Sequence, residues 1–144
     1  MKKRIIFTVI IALFAGLGIM IGQNKTKQKK TTVEKKYALL VSAEDHVKMA
    51  SKTAQALFTD PKYNASAFEV ILCGKSVETL KGDPEWNKIF EEGKALGIVY
   101  KVCGISMEKF KIDEKTIPKE VEVVPNGILR MYDLIEQGYI TIEL

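Results

Sequence analysis

Two cysteines and one histidine are the residues of this chain whose types could carry chemistry. Cys103 follows the largely apolar run 97–102, which is rich in β-branched and aromatic residues and therefore predicts a β-strand. A thiol at the end of such a strand lies at the rim of a sheet, where open α/β folds place their chemistry. Gly104 lets the backbone approach a substrate closely, and a helix that begins just beyond Cys103 would favour the thiolate, the form that attacks sulfur.

Cys73 and His46 are accessory candidates for the same chemistry. Cys73 follows a second predicted strand and could act as a resolving thiol, while His46 follows the first predicted strand and could act as a base for Cys103. Each residue also has a purely structural interpretation. A free cysteine is most often a small buried hydrophobic residue, and a lone histidine is most often an exposed loop residue. The sequence leaves both interpretations open.

Several other site types are disfavoured by the residues present. Two cysteines and one histidine at wide spacing match no zinc pattern. The segment 42–46 after the first predicted strand has no glycine and carries two carboxylates, which would repel the phosphate of a nucleotide or flavin. The segment 73–76 resembles the end of a phosphate-binding loop but lacks the upstream glycine. We therefore expect neither a metal nor an organic cofactor.

The net charge of +4 is unevenly distributed along the chain. Residues 1–36 carry nine lysines and arginines against one acid, whereas residues 37–144 carry thirteen against seventeen acids. The predicted folded part is thus mildly acidic, which argues against binding to nucleic acid. The basic N-terminal segments are instead suited to anionic lipid headgroups.

The first 36 residues predict a membrane segment and a linker. Residues 5–22 contain no charged side chain and follow a short basic stretch, so residues 1–22 are expected to be an uncleaved anchor or a cleaved signal peptide. Residues 23–36 are polar and of low complexity, which is typical of a solvated linker. A basic segment followed by an apolar segment and then a polar one is the order found in export signals. We therefore expect the folded part to lie outside the cytoplasm.

Residues 37–144 alternate between strand-like and helix-like patterns. Apolar runs predict five strands, and segments with helical spacing of apolar residues lie between them; the second of these helices has a clear start signal at Asp83-Pro84. Ser42 is a candidate cap for the first helix. Repeated β-α-β units predict an α/β fold: a three-layer α/β/α sandwich with a mostly parallel five-stranded sheet, preceded by an N-terminal hydrophobic helix.

Three stretches together resemble the DsrE/DsrF-like family of sulfur-relay proteins: residues 70–77, residues 97–107, and the closing stretch made of residues 124–128 and 137–140. The resemblance implies a three-layer α/β/α fold over residues 37–144 and assembly into a homotrimer or homohexamer. It also implies that Cys103 carries sulfur as a persulfide. The partners would then be sulfur donor and acceptor proteins or small sulfane-sulfur compounds, and no metal or organic cofactor would be needed.

Three functions are consistent with these features. The first is a membrane-tethered or exported sulfur carrier or sulfurtransferase that works through Cys103. The second is a non-catalytic oligomeric binding module in which Cys103 is merely packed. The third, a thiol-disulfide redox protein that uses Cys73 and Cys103, is less favoured because the chain has no C-x-x-C motif.

Overall fold

The structure is a computed structural model that describes residues 33–144, and these residues form alternating strands and helices. The strands are β1 (Lys35–Val41), β2 (Ala65–Leu72), β3 (Ile98–Cys103), β4 (Val121–Val124) and β5 (Tyr139–Glu143). The α-helices are α1 (Glu44–Thr59), α2 (Pro84–Ala95), α3 (Gly104–Phe110) and α4 (Gly127–Glu136). Two 3-10 helices, Gly74–Leu80 and Glu114–Thr116, complete the connections.

The five strands form one sheet in the order β4-β3-β2-β1-β5, and every neighbouring pair is parallel. This confirms the prediction of an α/β fold with a mostly parallel five-stranded sheet. β1 begins at Lys35, before the apolar run that predicts it, because Lys35 and Lys36 continue the pairing with β2 beyond the buried part of the strand.

The order of the strands determines which face each helix covers. From β1 to β4 the chain advances in one direction across the sheet, and right-handed crossovers therefore place α1, α2 and α3 on the same face. The connection from β4 to β5 runs back across the sheet, so that α4 lies on the opposite face. The helices that follow β3 and β4 thus leave toward opposite faces, and the ends of two such strands are where open α/β folds place their binding sites.

The main hydrophobic core lies between the sheet and the first three α-helices. Tyr100 and Phe90 are among its largest buried side chains, with ring centroids 5.0 Å apart in an edge-to-face arrangement. The core is close-packed at Gly93, where an added Cβ would lie 2.0 Å from the Tyr100 hydroxyl. Trp86 and Ile117 pack at the edge of this core.

The opposite face has only a small core, formed by Ala38, Ile71 and Leu134. Arg130 of α4 anchors that helix to the sheet through a two-pronged ion pair with Glu69 of β2, with Nε–Oε1 and Nη2–Oε2 distances of 2.7 and 2.8 Å. Glu69 is almost completely buried, so loss of Arg130 would leave an unpaired charge inside the protein.

Part of the apolar stripe of α4 does not face the sheet. The sequence pattern of this helix predicts a stripe that includes Ile128, Tyr132 and Ile135, and in the structure these residues are 60%, 62% and 50% exposed. Leu129 beside them is 60% exposed. A single helix that covers the face of a five-stranded sheet buries only its inner side, and the outer apolar residues remain at the surface of the chain.

The sequence predicts capping residues for two helices, and the structure confirms the one for α2 but not the one for α1. The Asp83 side chain accepts a hydrogen bond from the Glu85 N–H, with Pro84 in the first turn, as the sequence predicts. Ser42 does not cap α1, which is a correction: the residue before this helix is Ala43, and the Ser42 hydroxyl donates instead to the Leu144 carbonyl at 2.7 Å.

The predicted hydrophobic helix at residues 5–22 lies outside the described residues. Within residues 33–144, no helix is both long enough and apolar enough to cross a membrane. The anchor or signal peptide predicted for residues 1–22 therefore stays a prediction. Of the linker predicted for residues 23–36, the part up to residue 32 also stays a prediction, whereas Lys35 and Lys36 belong to β1.

Candidate functional site at Cys103

The ends of β2 and β3 bring the two cysteines together. Leu72 of β2 pairs with Val102 of β3, so that Cys73 and Cys103 follow at the next position of two adjacent parallel strands. Both cysteines are free thiols. Cys103 is only 5% exposed, whereas Cys73 is half-buried.

A helix begins directly after Cys103, as the sequence predicts. Cys103 has extended backbone geometry and is the residue that precedes the first turn of α3, which starts at Gly104. The positive end of the helix dipole therefore lies next to the Cys103 sulfur. Gly104 allows a close contact within the chain, because an added Cβ would lie 3.3 Å from the carbonyl oxygens of Val124 and Pro125. The close approach is to the neighbouring chain segment.

Four hydrogen-bond donors lower the pKa of the Cys103 thiol. They are the backbone N–H groups of Gly127 and Ser106, the Ser106 hydroxyl and the Cys73 thiol. Burial alone would raise the pKa of the Cys103 thiol, but these four donors together outweigh it and hold the pKa below its ordinary value. The site therefore stabilises a thiolate despite its low exposure.

Cys73 has the opposite electrostatic environment. Burial, the negative charge of Cys103 and the hydrogen bond that the Cys73 thiol makes with Cys103 raise the pKa of Cys73 to about 12. Glu143 adds a smaller effect in the same direction. At neutral pH, Cys73 therefore keeps its proton and donates it in a hydrogen bond toward the Cys103 sulfur.

Gly127 and Asn126 at the start of α4 complete the site. An added Cβ on Gly127 would lie 2.5 Å from the Cys73 sulfur and 3.1 Å from the Cys103 Cβ, so the two cysteine side chains occupy the space that this glycine leaves free. The Asn126 side chain accepts hydrogen bonds from the N–H groups of Ile128 and Leu129 at 2.9 and 3.3 Å. This cap leaves the Gly127 N–H available to Cys103.

Ser106 connects the two sides of the site. Its hydroxyl accepts a hydrogen bond from the Gly74 N–H at 3.0 Å, and it lies within reach of both cysteines. Sequence reasoning did not assign it a role. Its position three residues after Cys103 is the available signal, because the third residue of a helix faces back toward the residue before the first turn.

His46 is not among the groups that contact Cys103 in the described part of the chain. It lies in the first turn of α1, with its Nε2 3.9 Å from Asp45 Oδ1. Its Nδ1 is buried without a hydrogen-bond partner among residues 33–144. The structure thus brings Cys73 and Cys103 together but not His46, and the base role of His46 stays a prediction.

An apolar groove of about 280 Å³ lies between α1 and the strands β1 and β5. Its lining includes Tyr37, Leu57, Tyr63, Ile140 and Ile142. Its lining residues carry no thiol, carboxylate or imidazole. No cluster of three or more histidine, cysteine or acidic residues that could hold a metal ion is present in residues 33–144.

Comparisons with known proteins agree with this architecture. A family model described as the DsrE/DsrF-like family matches residues 35–144. The solved structure of MTH1491 from Methanobacterium thermoautotrophicum, described as a protein of unknown function, has a TM-score of 0.67 and 18% identity and covers 76% of this chain and 99% of its own. No curated protein matches the chain.

Two further solved structures share the fold. BT1422 from Bacteroides thetaiotaomicron has a TM-score of 0.57 and 17% identity, and covers 76% of this chain and 94% of its own. The ychN protein from E. coli has a TM-score of 0.60 and 11% identity, and covers 78% of this chain and 100% of its own. At these identities the likeness concerns the fold alone.

Proposed function

We propose that this chain, which belongs to the DsrE/DsrF-like family, accepts sulfane sulfur on Cys103 as a persulfide and passes it to an acceptor thiol. The family is associated with sulfur relay. One observation carries the proposal: four hydrogen-bond donors lower the pKa of the Cys103 thiol. A lower pKa increases the fraction of thiolate, which is the nucleophile that sulfur transfer requires.

The proposed reaction has two balanced displacements. In the first, the Cys103 thiolate attacks the sulfane sulfur of a donor persulfide or polysulfide. A new S–S bond forms at Cys103, the S–S bond of the donor breaks, and the donor leaves as a thiolate or as a polysulfide ion shortened by one sulfur. In the second, an acceptor thiolate attacks the outer sulfur, and Cys103 leaves as a thiolate. The donors that lower the pKa of Cys103 also make it a better leaving group in this second step.

A non-catalytic oligomeric binding module is the alternative function. The 5% exposure of Cys103 favours it, because a sulfur that solutes cannot reach would be only a packed side chain. The exposed apolar residues of α4 would serve assembly in either case. Sulfur uptake by Cys103 therefore distinguishes the two functions.

The experiment loads the full-length protein with inorganic polysulfide near neutral pH and maps the added sulfur by mass spectrometry of peptides. Cys103 should gain the mass of one sulfur atom, and Cys103→Ser should gain none there. Cys73→Ser is the matched control, because it retains the proposed carrier and should still load. Failure of Cys103 to load in both the wild type and Cys73→Ser would leave only the binding module.

We also propose that residues 5–22 attach the protein to a membrane, or direct its export, with the folded part outside the cytoplasm. The support is the uncharged apolar run and the basic residues before it. In intact cells, an added protease should then digest the folded part once any outer barrier is opened. Full protection under those conditions, with digestion only after the inner membrane is lysed, would contradict this orientation.

A further inference from the structure

The two cysteines are placed where a bond between their sulfurs could form. They follow the paired residues Leu72 and Val102 on adjacent parallel strands. Such strands lie about 4.8 Å apart, and a disulfide accepts Cα atoms roughly 4.4–6.8 Å apart. The backbone at this edge of the sheet therefore needs no large movement to join Cys73 to Cys103.

The side chains are already in contact. The Cys73 thiol is hydrogen-bonded to the Cys103 side chain. Both fill the space beside Gly127, whose added Cβ would lie 2.5 Å from the Cys73 sulfur. Because Gly127 has no side chain, nothing at this position separates the two cysteines.

We infer that Cys73 is a resolving thiol that releases the sulfur held on Cys103 as hydrogen sulfide when no acceptor arrives. The inference rests on the proposed function, because it requires a persulfide on Cys103. The Cys73 sulfur attacks the inner sulfur of that persulfide, and a Cys73–Cys103 disulfide forms. The bond between the two persulfide sulfurs breaks, and the outer sulfur leaves with the Cys73 proton and the persulfide's negative charge as HS⁻.

No external oxidant is needed for this step, since the sulfane sulfur is the group that is reduced. The disulfide is then returned to two thiols by an external dithiol, which is oxidised in turn. The protonated state of Cys73 makes the attack slow. The persulfide therefore persists long enough to meet an acceptor. Only sulfur that no acceptor thiol removes is released by Cys73 as sulfide.

The test follows the persulfide after loading. Full-length wild type and Cys73→Ser are loaded with inorganic polysulfide, freed from excess reagent, and kept without thiol while sulfide and disulfide are measured. In the wild type, released sulfide should equal the Cys73–Cys103 disulfide found in peptides that were not reduced. In Cys73→Ser, the persulfide should last at least about ten times longer, and a dithiol should release it.

The outcomes separate this inference from the proposed function. If Cys103 does not load in either protein, the proposed function fails. If both proteins load and lose sulfur at the same rate, with no disulfide in the wild type, sulfur carriage stands and the resolving role is overturned. The disulfide is measured on the unmodified chain, so the result does not depend on how well Cys73→Ser folds.

Discussion

Cys73 and Cys103 show how position alone gives one residue type two different chemical states. Their side chains touch, yet the pKa of Cys103 is lowered and that of Cys73 is raised to about 12. Cys103 receives hydrogen bonds from four donors, and Cys73 supplies one of them. The pair therefore directs electrophilic sulfur to Cys103 and keeps Cys73 as a thiol at neutral pH.

Ser106→Ala should slow sulfur uptake by Cys103. The variant removes one of the donors to the thiolate, a charge-assisted hydrogen bond worth about 1.5 kcal/mol. The pKa of Cys103 should rise, and at a pH below that pKa the thiolate fraction should fall by up to about tenfold. A thiolate of higher pKa is intrinsically more nucleophilic, which offsets about half of this loss on a logarithmic scale and leaves a decrease of up to about threefold in rate.

The measurement for Ser106→Ala is the rate constant for polysulfide uptake near neutral pH. Ser51→Ala is the matched control, since it also removes a partly buried hydroxyl but one that lies beside Tyr100. Uptake in Ser51→Ala should equal that of the wild type. Equal slowing of both variants would mean that the Ser106 hydroxyl does not act on Cys103.

Only part of this site can be predicted from the sequence. Cys103, its place at a strand end and the helix after it follow from local patterns, because strands and helix starts are encoded by neighbouring residues. The contact with Gly127 does not follow from local patterns. It depends on the order of the strands and on the face to which α4 returns, and both are set by long-range packing.

The start of α4 is the element that presents a backbone N–H group to Cys103. Asn126 fixes this start by accepting from the N–H groups of Ile128 and Leu129. Its conformation places the Gly127 N–H at the sulfur. The cap of one helix thereby helps to set the ionisation of a cysteine on another element.

Asn126→Ala should lower the stability and also raise the pKa of Cys103. Loss of a helix cap of this kind costs about 1 kcal/mol in the free energy of unfolding. Asp83→Ala is the matched control, since Asp83 caps α2 and is not among the groups at Cys103. Chemical denaturation should show a similar loss in both variants, whereas thiol titration should shift in Asn126→Ala alone. A shift of equal size in Asp83→Ala would contradict the role of the cap.

Helix starts show where local signals succeed and where distant contacts override them. Asp83 and Pro84 start α2 as predicted, because the cap and the fixed proline backbone act within one turn. Ser42 has the residue type of a cap, but its backbone N–H and hydroxyl both bind the carbonyl of Leu144 at the other end of the described chain. No local sequence pattern predicts the contact between Ser42 and Leu144.

The whole domain has unequal layers, with three α-helices on one face of the sheet and α4 alone on the other. Right-handed crossovers impose this arrangement once the strand order is β4-β3-β2-β1-β5. The exposed stripe of α4 is its consequence, and it starts next to Gly127 at the cysteine site. An exposed apolar patch of this kind is typical of an interface, which fits the oligomerisation that is general in the family.

Tyr132→Glu should reduce self-association. A charge in the centre of the exposed stripe of α4 would have to be buried without a partner in any interface formed there. Sedimentation of the full-length protein should show a smaller species than the wild type. Met49→Glu is the matched control, since Met49 is an exposed apolar residue on α1 and its replacement should not change the assembly. Unchanged assembly in Tyr132→Glu would exclude this face as the interface.

The most direct test of the central claim is the pH dependence of sulfur uptake by Cys103, measured together with the ultraviolet absorbance of its thiolate. Since the pKa of Cys103 is lowered, both signals should rise with pH and have a midpoint below 9.0, the ordinary pKa of the cysteine thiol. They should fall together as pH drops through that lowered pKa, and Cys103→Ser should lack the transition. A first thiol ionisation at or above the usual value, or one that persists in Cys103→Ser, would contradict the account.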